Sequence, residues 1–127
     1  MDPIVSGLLG VLIGALLGHR FALGRDKRKE WNAVVKPIKQ RIHEHIDELQ
    51  EYNTSNIWLD ESEIRLLRMH LSAARYQIIK KHLDSYIATK EDEGTVDSFL
   101  PVIVYSLESR GKMVRNLRSI DEILKLK

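Results

Sequence analysis

The chain has 127 residues, no cysteine, and a formal charge of +2 from 20 basic and 18 acidic side chains. That length suits one modest domain plus an appendage, and the missing thiols exclude disulfides and thiolate metal sites. The charge is segregated: eight Lys or Arg stand against two acidic residues from Arg20 to Arg41, six against thirteen from Ile42 to Ser109, and six against two from Arg110 to Lys127.

The first element is apolar. Ile4 to Gly18 is fifteen residues without a charge, and Phe21 to Gly24 adds four more after His19 and Arg20. A helix crossing a ~30 Å hydrocarbon layer needs roughly 20 residues, which Ile4 to Gly24 supplies if Arg20 snorkels to one interface. A cleaved signal calls for positive charge before the apolar run, and here only Met1, Asp2 and Pro3 precede it. A buried or interfacial helix is the other alternative, but such helices are amphipathic, whereas this one is apolar on every side. The expectation is a transmembrane anchor over residues 1–24.

Lys and Arg flanking a span favour the cytoplasmic side. Arg20, Arg25, Lys27, Arg28 and Lys29 all lie at the same end, with Trp31 beyond them as an interfacial aromatic. This predicts a basic juxtamembrane segment at 25–36 that meets anionic lipid, an N-terminus outside, and residues 37–127 in the cytoplasm. Within the span Ser6, Gly10, Gly14, Gly18 and Ala22 recur at every fourth position, so small side chains share one helical face. Such a stripe lets two backbones approach closely, and it predicts a helix–helix interface with a second copy or another membrane protein.

Next comes a heptad seam: Trp31, Val35, Ile38, Ile42, Leu49 and Tyr52 alternate steps of four and three, with His45 in the one polar slot. His45 is expected to be half-buried there. Pro37 predicts a kink or a restart, and Asn53-Thr54-Ser55-Asn56 ends the helix. A second helix is predicted from an Asp60 cap to about Ile87. It carries apolar stripes on two sides and so should be the middle element of the packed unit. A third is predicted from Asp97 or Ser98 onward, with Pro101 in its first turn and Ile103, Leu107, Val114, Leu117 and Leu124 on one face. The VIVY run at 102–105 has strand character, but no second run of that kind exists to pair with it, so helix is preferred. The fold class is therefore all-α: an N-terminal transmembrane helix followed by a three-helix bundle-like cytoplasmic domain.

No residue pattern supports catalysis, a cofactor or a metal. His43 and His45 point about 200° apart on a helix, poor geometry for one ion. Glu44, Asp47, Glu48 and Glu51 suit a solvated helix face, and no Gly-rich phosphate loop occurs. The basic run has no accompanying set of stacking aromatics, which disfavours nucleic acid. No small-molecule substrate is evident. The distal charges Arg110, Lys112, Arg115 and Arg118 are expected to fold back on the acidic middle of the chain or to meet an acidic partner.

The join LGHRFALGRDKRKEWNAVVKPI is similar to small, uncharacterised bacterial single-pass membrane proteins with a helical cytoplasmic tail. The resemblance covers the first forty residues or so; it implies an inner-membrane setting and no particular activity. The expected function is non-enzymatic: a membrane-anchored helical adaptor or scaffold at the cytoplasmic face, self-associating. The alternative is a membrane-active, holin-like or lysis-control protein of the phage type.

Overall fold

The structure, a computed structural model, describes residues 3–126. It is 76% helix and 3% strand, so the all-α expectation stands. The elements in chain order are helix α1 (Pro3–Glu51), α2 (Glu61–Arg65), a 3-10 turn (Leu66–Met69), α3 (Ala73–Asp92), strands β1 (Thr95–Val96) and β2 (Ile103–Val104), and α4 (Leu107–Ile123). Two compact units divide the chain, one reaching Ala33 and the other Val34–Leu126.

In the first unit α1 presents its side chains to its surroundings. None of residues 3–20 is buried, and Ile4, Val11 and Leu16 are 73, 71 and 66% exposed. α1 continues unbroken through Pro37. Pro37 brings no N–H, so the carbonyl four residues earlier goes without its usual donor at no visible cost to continuity.

The second unit is built on the seam. Val35, Ile38, Ile42, Ile46 and Leu49 are buried along α1, whereas Tyr52, beyond the end of the helix, is 55% exposed. Helix α3 supplies Ile79, Leu83 and Tyr86 to the same core, and α4 supplies Met113, Val114, Leu117 and Ile120. α3 and α4 pack on each other. Lys39 of α1 is tied to Asp121 of α4 at 2.8 Å, and His43 reaches the other oxygen of that carboxylate at 2.9 Å. Arg110 of α4 donates to the carbonyls of Leu49 (3.0 Å) and Tyr52 (2.7 Å), covering acceptors that a helix end leaves unpaired.

Two expectations are corrected. The helix predicted from Asp60 to Ile87 is two helices. Asp60 does cap α2, accepting from the Ser62 N–H, but the turn tightens at Leu66, and Ser72 caps a new helix by accepting from Arg75 N–H. The two apolar stripes are consequently not both buried: Leu66, Met69 and Ile78 are 61, 91 and 49% exposed. The VIVY run is not helical. β2 pairs antiparallel with β1, Val96 opposite Ile103, because Thr95-Val96 just upstream is the partner the sequence reading lacked. Asp97 turns the hairpin, accepting from the Phe99 N–H at 3.0 Å, and Ser106 is the cap that starts α4. α4 passes through Gly111 as one helix.

Gly94 enters the hairpin where no side chain fits. A Cβ there would sit 2.5 Å from Ile103 Cγ2 and 3.0 Å from the Tyr105 ring.

Candidate functional site

Three features stand out chemically: the exposed apolar stretch of α1, a set of exposed apolar side chains in the second unit, and a buried polar chain.

The small-residue positions lie in the first unit. Ser6, Gly10, Gly14 and Gly18 are exposed and Ala22 is partly covered. A Cβ built on Gly10, Gly14 or Gly18 meets nothing within 4 Å, so the stripe is an open surface. Arg20, Arg25, Lys27, Arg28 and Lys29 are exposed as well. Trp31 is different. It is 5% exposed, its ring held inside and not offered at a surface, which fits its place as the first seam position.

The second unit leaves a set of large apolar side chains uncovered. Phe99 and Leu100 at the hairpin turn are 94 and 60% exposed, with Val96 at 74% and Leu107 at 76%. Single exposed apolar residues are ordinary; here four fall within the hairpin and the start of the next helix.

The polar chain lies in the core of the second unit and centres on His45, which is 0% exposed where half-burial was expected. Its two nitrogens are both engaged, Nδ1 with Ser55 Oγ at 2.9 Å and Nε2 with Tyr86 OH at 2.7 Å. Ser55 donates its hydroxyl proton to the Glu48 carboxylate, which also accepts from the Asn56 N–H at 3.0 Å. That direction fixes the rest. With its one proton committed, Ser55 accepts from His45 Nδ1–H, so Nε2 is bare and accepts from Tyr86. Tyr86 OH in turn accepts from the Leu59 N–H at 3.3 Å. Trp58 closes one side, its ring edge-on to His45 at 4.9 Å, and the Lys90 ammonium stands 4.9 Å over the Trp58 ring.

The electrostatics follow from this burial. Desolvation lowers the His45 pKa to about 4; the Glu48 charge opposes this and Lys90 adds to it, and the imidazole stays neutral. Glu48 is held below the ordinary carboxylate range by the Ser55 hydroxyl first and by the N–H groups of Asn56 and Ile57. Burial pushes the Tyr86 phenol up. Asp121 loses some acidity to burial, but the hydrogen bonds and charges of Lys39 and His43 more than offset this and lower its pKa.

A His, a Tyr, a Ser and a Glu in series resemble a proton relay, yet His45 and Tyr86 are both 0% exposed. The chain works as a cross-link. It ties α1 to α3 through His45 and Tyr86 and to the 55–59 loop through Ser55 and Leu59. Sequence reasoning had placed Glu48 on a solvated face and passed over Ser55 and Tyr86. Only the polar slot at His45 in an otherwise apolar seam signalled them. Two of the four distal charges are spent within the fold: Lys112 pairs with Glu93 at 3.1 Å, and Arg110 serves the end of α1. Among the described residues no group of three His, Asp or Glu side chains could hold a metal ion.

Compared with known proteins, the chain matches no family model, no curated protein and no solved structure. Among the described residues one helix, α1, is long and apolar enough to cross a membrane.

Proposed function

We propose that the protein is a single-span, non-enzymatic membrane adaptor or scaffold. In this reading residues 4–24 lie in the bilayer, and Val34–Leu126 forms a helical domain at the cytoplasmic face that holds a partner or further copies of itself. The observation that carries it is the complete exposure of residues 3–20 in a helix that is apolar all round.

The magnitude supports this reading. Ten large apolar side chains between Ile4 and Leu23 are exposed. Full burial of such a side chain contributes about 1.5–3 kcal/mol, so even half-coverage of ten amounts to roughly 10 kcal/mol. That rivals the whole stability of a small domain, about 5–15 kcal/mol. Lipid covers such a surface on all sides at once, as a partner protein on one face does not. The cationic residues at one end give the orientation, N-terminus outward. The open stripe from Ser6 to Ala22 is the face for self-association, and the apolar group around Phe99 and Leu100 is the face for a partner.

The deciding experiment is fractionation of the full chain followed by protease treatment of inside-out vesicles. Retention in membranes after alkaline carbonate, with the 34–126 portion digested, is the expected result. Recovery in the carbonate supernatant, or a protected C-terminal portion, overturns it. Self-association is read separately, as a loss of dimer signal on Gly14→Ile in a bilayer reporter assay.

A further inference from the structure

Five cations follow the apolar stretch, and the fold does not treat them alike. Arg20, Arg25 and Arg28 line one open cleft of about 490 Å³ together with Leu17 and Gly24, whereas Lys27 and Lys29 lie outside it. Arg20, Gly24 and Arg28 are spaced by four and so stand above one another on a single face, with Arg25 beside them. Gly24 also lines it, and a Cβ there would meet nothing within 4 Å, so no side chain fills that part of the cleft. None of the three arginines takes part in an ion pair among the described residues.

Charge alone would set topology with lysine as well as arginine. What arginine adds is a planar fork that binds a phosphate through paired N–H donors. Here all three cleft cations are arginines, and both cations left out of the cleft are lysines. The cleft is also amphipathic along its length. Leu17 marks its apolar end and Arg28 its polar end, eleven residues or about 16 Å apart at the helical rise. A free anion uses only the second half of such a site. A phosphate with hydrocarbon attached uses both.

Building on the spanning reading above, we propose that this cleft is a seat for an acidic glycerophospholipid. The phosphate lies among Arg20, Arg25 and Arg28, the glycerol passes over Gly24, and the first acyl methylenes run against Leu17. The site selects a lipid whose phosphate carries no neutralising ammonium group, and does not merely attract an anionic surface.

The test uses the full chain in phosphatidylcholine vesicles doped with spin-labelled phosphatidylglycerol or spin-labelled phosphatidylcholine. Electron paramagnetic resonance reads the immobilised fraction of each. The wild type is expected to prefer the acidic label about five-fold or more, and to keep most of that preference at about 0.5 M salt, where diffuse attraction is screened. Replacing all three arginines by lysine (R20K, R25K, R28K) keeps the charge and should bring the high-salt preference close to one. Lys27→Gln with Lys29→Gln should lower only the low-salt excess. Full preference in the triple lysine variant, or none in the wild type, overturns the seat. Added inorganic phosphate separates the two sources of the group: displacement of the label by millimolar phosphate would make this an anion site and overturn the lipid assignment. Carbonate extraction of the same samples separates the two readings. Firm insertion without lipid preference removes the seat alone, whereas extraction of the chain removes the span and the seat with it.

Discussion

α1 contains two stretches that share a backbone conformation and differ in everything else. Along residues 3–20 no position is buried, although most are apolar; along residues 31–49 the apolar residues fall at steps of three and four and are buried, with polar residues between them. The same helix former, leucine or isoleucine, is thus exposed in one stretch and in a protein core in the other. Periodicity makes the difference. An apolar seam specifies a neighbour on one side, and an apolar cylinder specifies a solvent.

That contrast can be broken from either end. The largest effect is expected from Ile42→Asp, which places an unpaired charge at a position that is 0% exposed. It should cost on the order of 4 kcal/mol or more and unfold the second unit. Urea titration followed by Trp58 fluorescence reads this, while the protein stays in the membrane fraction. The mirror experiment is Leu12→Arg, at a position 59% exposed. A centre-of-span arginine should raise the insertion free energy by about 3–4 kcal/mol, seen as loss of carbonate-resistant protein with the urea midpoint unchanged. If either substitution moves both readouts equally, the two stretches are not independent in the way proposed.

Acid sharpens the comparison, because the buried histidine belongs to one unit only. The folded pKa of His45 is lowered from 6.5 to about 4, so the unfolded chain takes up its proton first. Stability from this group is complete above about pH 6.5, falls as pH drops toward 4, and levels off below that, a loss of about 3 kcal/mol. Below the ordinary carboxylate values the lowered pKa values of Glu48 and Asp121 add a further decline. His45→Phe should lower stability at pH 7 yet flatten the slope between pH 6.5 and 4. A slope of wild-type size in that variant would show that the imidazole is not its source. The smallest effect is expected from Gly94→Ala. The new methyl must push aside Ile103 Cγ2, 2.5 Å away, and crowds the buried Tyr105 ring at 3.0 Å, at a cost of about 1–3 kcal/mol in the same urea titration.

Much of the helical framework was legible because it rests on local signals. The seam from Trp31 to Leu49 is a periodicity, and the end of α1 near Asn53 is a polar cluster; both are properties of neighbouring residues. The break at His70–Ser72 was not legible, since two helical patterns in phase look like one and Ser72 is an unremarkable residue until it caps α3. The hairpin was missed because a two-residue strand such as Thr95-Val96 carries no pattern; its pairing rests on the turn at Asp97 and on Gly94, whose lack of a side chain makes room for Ile103. The polar chain was beyond reach for a different reason. Its members are 7, 10 and 41 residues apart, and nothing local distinguishes Tyr86 from any other tyrosine on a helix.

The hydrogen bonds from Arg110 to the last turn of α1 have a consequence for synthesis. The donor is made 61 residues after the Leu49 carbonyl it completes, and the Asp121 that holds Lys39 follows 82 residues behind its partner. A chain emerging from the ribosome therefore presents its greasiest segment long before the second unit can close. In the spanning arrangement proposed above, delivery to the bilayer and closure of the domain become successive events, with the unit left open until α4 arrives to lock it.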